Sequence, residues 1–79
     1  MDKIDEAKQR GLTAGKEAGY EKGYNDSKDG KAFNDSIYLN DIKIPILGGP
    51  EERAAFQYWF SLVFKEYYKK GFNREETNL

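Results

Sequence analysis

AKQRGLTAGKEAGYEKGYNDSKDG, residues 7–30, sets a small residue at every fourth position: Ala7, Gly11, Gly15, Gly19, Gly23 and Ser27. The rest of the stretch reads as helix. Ala7, Ala14 and Ala18 are strong helix formers, and Glu6 with Arg10 makes a favourable i,i+4 pair. Asp2, Asp5 and Glu6 stand near the start, where the helix dipole favours acids. Lys28-Asp29-Gly30 closes it, with Gly30 suited to a left-handed cap. The spacing predicts a helix over about 2–28. Glycine in a helix interior costs about 1 kcal/mol relative to alanine, so Gly11, Gly15, Gly19 and Gly23 together cost roughly 4 kcal/mol. A short chain carries that loss only if something packs against the bare backbone.

The remainder of the chain supplies a complement. Gly48-Gly49-Pro50 breaks the chain and opens a second helix, with Pro50 at its first position and Glu51 and Glu52 facing the dipole. This helix is expected over about 50–71, stopped by Gly71. It carries Phe56, Phe60, Phe64, Tyr68 and Phe72, an aromatic residue at every fourth position. Such a row is a ridge, and a row of glycines is a groove; i±4 rows interdigitate at a crossing angle of about −50°. Each aromatic buries roughly 150–250 Å², so three seated rings outweigh the glycine loss. Both rows drift around their helices, because four residues turn about 400°. A steep crossing would therefore leave some glycines and aromatics for another partner. Ala55, Trp59, Val63 and Tyr67 form a further row, and Tyr58 and Leu62 lie elsewhere on the circumference. A helix apolar on most sides is buried on most sides, which predicts a homodimer or an external partner. The alternative is a compact monomer whose tyrosine hydroxyls reach solvent.

Between the helices, Asn34-Asp35-Ser36 is a turn cluster. Ile37-Tyr38-Leu39 and Ile42-Lys43-Ile44 flank Asn40-Asp41, a pattern that fits either a short β-hairpin or an extended loop over about 37–46. Pro45 would hold such a strand at an edge. The fold class is thus mainly α: two helices crossing steeply, joined by a hairpin or loop, in one domain of residues 1–72 followed by a polar tail, 73–79.

The totals narrow the function. The 79 residues carry a net charge of −1, 34% charged and 15% aromatic residues, with neither cysteine nor histidine. So many aromatics argue against disorder. Without histidine and cysteine the commonest general base, metal ligand and nucleophilic thiol are missing. No paired carboxylates, GxSxG or Walker pattern replaces them, so no catalytic, cofactor or metal residue is expected. Nothing in the overall charge draws the chain to nucleic acid, and DNA is not an expected partner. Residues 54–64, the most apolar run, fall short of the roughly 20 a bilayer requires. MDKIDEAKQR lacks the apolar centre of a signal peptide, and a cytoplasmic location is the expectation.

Two families resemble the first helix. Ala7, Gln9, Arg10, Gly11, Ala14 and Gly15 match the Ala-x-Gln-Arg-Gly-x-x-Ala-Gly stretch of the ribosome modulation factor family. That resemblance implies a small helix–loop–helix protein that binds the small ribosomal subunit; the family's basic character and Cys-Pro loop are missing here. Ala7 through Gly23 is also similar to the AxxxGxxxG repeat of FliH-type regulators of export ATPases, which implies close helix packing.

Several local patterns yield to plainer readings. Asn25 to Gly30 shares the opening of a calcium loop, but Phe33 and Ser36 stand where ligands belong, so a helix end is expected. Gly48-Gly49-Pro50 would cradle an anion only against the repulsion of Glu51 and Glu52. Lys65, Lys69, Lys70 and Arg74, interleaved with Tyr67, Tyr68 and Phe72, suit either RNA contact, together with Arg10, or the cationic end of a helix. The expectation from all this is a non-catalytic protein that binds a larger protein or complex and modulates or inhibits it, as many small phage-encoded host-takeover and anti-defence proteins do. Its expected contacts are Tyr20, Tyr24, Tyr38, Ile42, Ile44, Trp59 and Tyr67, because aromatics dominate binding hot spots and a hairpin edge accepts a strand. The alternatives are a ribosome-binding factor and a structural homo-oligomer joined through the glycine row.

Overall fold

The computed structural model describes residues 3–37 and 49–75. Helix α1 spans Lys3–Lys28 and helix α2 spans Pro50–Phe72. No strand occurs among the described residues. The hairpin or loop expected at 37–46 lies outside them except for Ile37, and so does the tail beyond Glu75.

The two helices run parallel and pair residue for residue. A methyl group built on Gly11 would meet the backbone of Phe56, on Gly15 that of Phe60, on Gly19 that of Phe64 and on Gly23 that of Tyr68. Residue numbers rise together on both helices at a constant offset of 45. The rows do not part company as the sequence led one to expect: all four glycines keep their partners on α2. Two rods crossing at an angle would lose a row that steps by four, but two helices wrapped around each other can follow it. A contact period longer than 3.6 residues calls for a right-handed wrap. All four glycines are matched within one chain, and the groove has no vacancy for a second copy.

Burial obeys the same four-residue step. Ala7, Gly11, Gly15, Gly19 and Gly23 are buried, while Asp5, Gln9, Thr13, Glu17, Glu21 and Asn25 are all exposed. On α2, Phe56, Phe60, Phe64 and Tyr68 are at most 3% exposed and form the core. Their rings, with that of Phe72, stack in a continuous ladder at centroid spacings of 5.8–6.3 Å. Ala14 and Ala18 pack against it from α1. The glycines admit the α2 backbone itself, so that their Cα–H groups face the carbonyls of Phe56, Phe60, Phe64 and Tyr68, a geometry that suits weak Cα–H···O contacts.

A parallel pair needs a return connection as long as the helices, roughly 35–40 Å. The 21 residues between Lys28 and Pro50 reach up to about 70 Å when extended. The return starts at Gly30, at φ 74°. Gly30 N–H donates to Ser27 and Lys31 N–H to Asp26, the paired bonds of a Schellman cap. Phe33 then sets its edge against the rings of Tyr68 and Phe72, at 5.1 and 5.3 Å. Ile37 packs on the same ladder.

Gly71 is not the stop that its residue type suggests. It is buried inside α2, where a methyl group would collide with the carbonyl of Tyr20. It is the counterpart of the α1 glycines: a gap on α2 that admits the α1 backbone. The helix instead ends at Phe72. Asn73 N–H bonds to Lys69, Arg74 N–H to Gly71 and Glu75 N–H to Lys70. Arg74 takes the left-handed position at φ 56°, so the first residues of the expected tail form the helix cap. At the other end, Gly49 is an extended N-cap without a side-chain bond, and Pro50 begins the helix.

Candidate functional site

Close backbone contact leaves two seams, one on either side of the line where the helices touch. One holds the aromatic ladder, closed over in part by Phe33 and Ile37. The other is built from the residues that directly follow the small row on α1 (Lys8, Leu12, Lys16, Tyr20 and Tyr24) and from Trp59, Val63, Tyr67 and Gly71 on α2. Lys8 Nζ lies 4.3 Å from the centre of the Trp59 ring. Two turns on, Tyr67 lies between Lys16 Nζ at 5.7 Å and Lys70 Nζ at 4.6 Å. Two further turns on, the Arg74 guanidinium sits 5.7 Å from the Tyr24 ring, which stacks on Tyr20 at 6.4 Å. Tyr20 Oη donates to the Glu75 carbonyl at 2.6 Å, fastening the cap of α2 to α1. In register, half-buried Leu12 and Val63, 7% exposed, fall between the first two stations.

The sequence-predicted binding residues are thus divided. Tyr20, Tyr24, Trp59 and Tyr67 share this seam, half-buried or, for Tyr24, 41% exposed. Tyr38, Ile42 and Ile44 lie outside the described residues. Gly11, Gly15, Gly19 and Gly23 face Phe56, Phe60, Phe64 and Tyr68 inside the molecule. The residues singled out for RNA do not come together. Arg10 pairs with Glu6 at 2.7 Å near the start of α1, level with the start of α2 and about 15 Å along the axis from Lys65. Lys65 and Lys69 are exposed on the far side of α2, whereas Lys70 and Arg74 belong to the seam. Lys70 also pairs with Glu66 at 3.8 Å.

Lys8 and Lys16 were missed because charged residues on a helix are usually solvated. Their signal is the register: each directly follows a small residue of the buried row. Tyr58 and Leu62 were placed on the circumference of α2 and are its most exposed apolar residues, 61% and 54%. They line a shallow hollow of about 520 Å³ with Ala54, Gln57, Ser61 and Lys65.

In the closed seam, Tyr68 is fully buried and its hydroxyl is fully engaged. It donates to Asp26 Oδ2 at 2.6 Å and accepts from Asn34 N–H at 3.1 Å. Burial, and then the bond to Asp26, push its pKa above the ordinary tyrosine value. Asn25 to Gly30 is accordingly the end of α1, with Asp26 engaged by Tyr68. Among the described residues no group of acids could hold a metal ion, and no helix is long and apolar enough to cross a membrane.

Among the described residues, fold and faces together define a small parallel helix pair with one seam partly covered by its own chain and one covered only by the side chains that line it. Comparison with protein-family models, curated proteins and solved structures returned no match.

Proposed function

We propose that this chain is a non-catalytic binding protein that docks on a larger macromolecule, a protein or protein complex, and modulates or blocks it through the open seam. The observation that supports this reading is the line of cation–aromatic stations from Lys8–Trp59 to Tyr24–Arg74. Core packing does not require it: the glycine contact and the aromatic ladder already hold the helices. Aromatic and arginine side chains are the residues most often found at binding hot spots, and here a rigid backbone presents them in one row.

The test is capture from a bacterial lysate on the immobilised chain, with salt and ribonuclease varied. The wild type, the Trp59→Ala/Tyr67→Ala pair and the Lys65→Gln/Lys69→Gln pair are compared after circular dichroism has shown each to be folded. The reading expects a stoichiometric protein that survives salt and ribonuclease, is lost with the seam pair and is kept with the lysine pair. Loss with the lysine pair alone would overturn it. Recovery of ribosomal subunits that disappear by about 0.5 M salt would replace it with ribosome binding, since phosphate contacts weaken steeply as salt rises.

A further inference from the structure

Charge is not spread evenly over this molecule. The row of α1 opposite the contact, Asp5, Gln9, Thr13, Glu17, Glu21 and Asn25, carries three acids and no base, while Lys3, Arg10 and Lys28 are exposed beside it. The open seam carries Lys8, Lys16, Lys70 and Arg74, with Glu66 paired to one of them. Four cations of a chain of net charge −1 thus lie along one line, against a single acid named among them. Their heads lie over ring faces, which holds them in place without neutralising them, because a cation–π contact leaves the charge available to an anion.

The spacing of these cations has a period. Lys8 and Lys16 are eight residues apart on one helix, about 12 Å; Lys70 shares the Tyr67 station with Lys16, and Arg74, at Tyr24 a further eight residues along α1, extends the line by a similar step. Between the first two stations the floor is apolar, formed by half-buried Leu12 and by Val63, which is 7% exposed. A single-stranded nucleic acid would bring a phosphate roughly every 6–7 Å and has no need of an apolar gap; its bases would also have to displace the lysines to reach the rings. An α-helix lying in the seam brings side chains of one face every two turns, about 11–12 Å, with apolar residues one turn between them. Resting on the reading of the seam as the binding face, we propose that its occupant is an acidic amphipathic helix of a partner protein. Carboxylates two turns apart meet Lys8, the Lys16–Lys70 pair and Arg74, and apolar side chains between them cover Leu12 and Val63.

Trp59 is the sole tryptophan of the chain and sits at the first station, so its fluorescence reports occupancy directly. The probe is an acetylated, amidated 15-residue peptide with Glu at positions 1, 8 and 15, Leu at 4, 5, 11 and 12, and helix-forming polar residues elsewhere. A peptide of the same composition in shuffled order and a 15-nucleotide oligouridylate serve as comparisons. The expected result is a saturable change in Trp59 emission with the patterned peptide, at least tenfold weaker with the shuffled one. Binding should weaken at least tenfold in Lys8→Gln/Lys16→Gln, confirmed as folded by circular dichroism, and be unchanged in Lys65→Gln/Lys69→Gln. Equal response to the shuffled peptide, no response up to millimolar peptide, or tighter binding of the oligonucleotide overturns the proposal. Those outcomes leave the broader reading standing if lysate capture still depends on Trp59 and Tyr67, so the two fail separately.

Discussion

Adding one methyl group to a glycine usually stabilises a helix, and Gly15 is where that rule should reverse most clearly. In an open helix Gly→Ala gains about 1 kcal/mol. At Gly15 the new carbon would stand 2.5 Å from Val63 Cγ2, 2.6 Å from the Phe60 carbonyl oxygen and 3.0 Å from Phe60 Cα. An unstrained carbon–oxygen contact needs about 3.3 Å or more, and a carbon–carbon contact about 3.5 Å or more. The helices must therefore separate locally by roughly 1 Å. Val63 can turn its methyl away, but the Phe60 backbone is fixed within α2 and cannot. A gap of that size forfeits a quarter to a half of the dispersion energy of the facing atoms, and it loosens the Gly11 and Gly19 contacts on either side. Overpacking of this kind destabilises by about 1–3 kcal/mol even after relaxation. A chain of this length has a total stability of about 4–12 kcal/mol, and each kcal/mol moves the midpoint by about 4–8 °C. Gly15→Ala should therefore melt about 5–20 °C below the wild type by circular dichroism, with Thr13→Ala, two residues away on the exposed face, within about 0.5 kcal/mol of the wild type. A Gly15→Ala protein as stable as the wild type, or more so, would refute both the backbone contact and the parallel register derived from it.

Other substitutions separate the remaining parts of the fold. Tyr68→Phe keeps the ring in the ladder but leaves Asn34 N–H without its acceptor and should cost about 1–2 kcal/mol in urea unfolding. Because burial raises the Tyr68 pKa in the folded chain, the unfolded hydroxyl ionises first. Its contribution is complete below about pH 10 and falls as pH rises from there through the folded value, so the gap between wild type and Tyr68→Phe should narrow above pH 10; a constant gap from pH 8 to 11 would count against the burial argument. Arg74→Gly relieves a left-handed residue at φ 56°, a gain of about 1 kcal/mol less about 0.5 for the lost contact with Tyr24, so a small rise in melting temperature is expected. Gly49→Ser places a hydroxyl at the extended N-cap three residues before Glu52, completing a capping box, and should add about 0.5–1 kcal/mol. The flexible end of Glu52, 2.9 Å from the new Cβ, has only to turn aside.

The two helices were legible because their rows are regular, and the glycines announced a close approach before any partner was known. What the rows do not encode by themselves is direction. Ridge and groove fit equally well at a steep crossing, antiparallel or parallel, and the choice rests on the path between the helices, where composition allowed both hairpin and loop. Gly71 misled because the same residue type ends helices and admits neighbours; only its register, three residues after Tyr68 and opposite Tyr20, tells the two roles apart. Of the candidate site, the aromatics were found by type. Their union into one seam with Lys8 and Lys16 was not, because it depends on the right-handed wrap that keeps every fourth residue on the same side. An ideal 3.6-residue wheel scatters Lys8, Lys16 and Tyr24 over about 160°.

The same wrap accounts for the presence of two seams of different character. When glycines let two backbones touch, the flanking side chains cannot point inward and are displaced to the two edges of the contact. On one edge the chain covers its own aromatics: Phe33 and Ile37 return across the ladder, and Tyr68 is tied to both Asp26 and Asn34. On the other, the side chains set over Trp59, Tyr67 and Tyr24 among the described residues are lysine and arginine, which move easily and carry charge. An acidic helix of the kind proposed would have only to swing those cations toward its own acids, while the rings stay where the backbone holds them. Large losses of stability are accordingly expected from substitutions in the glycine row and the ladder, and large losses of binding with small losses of stability from Lys8, Lys16 and Lys70. A scan in which the two sets of positions coincide would show that the open seam is part of the core after all.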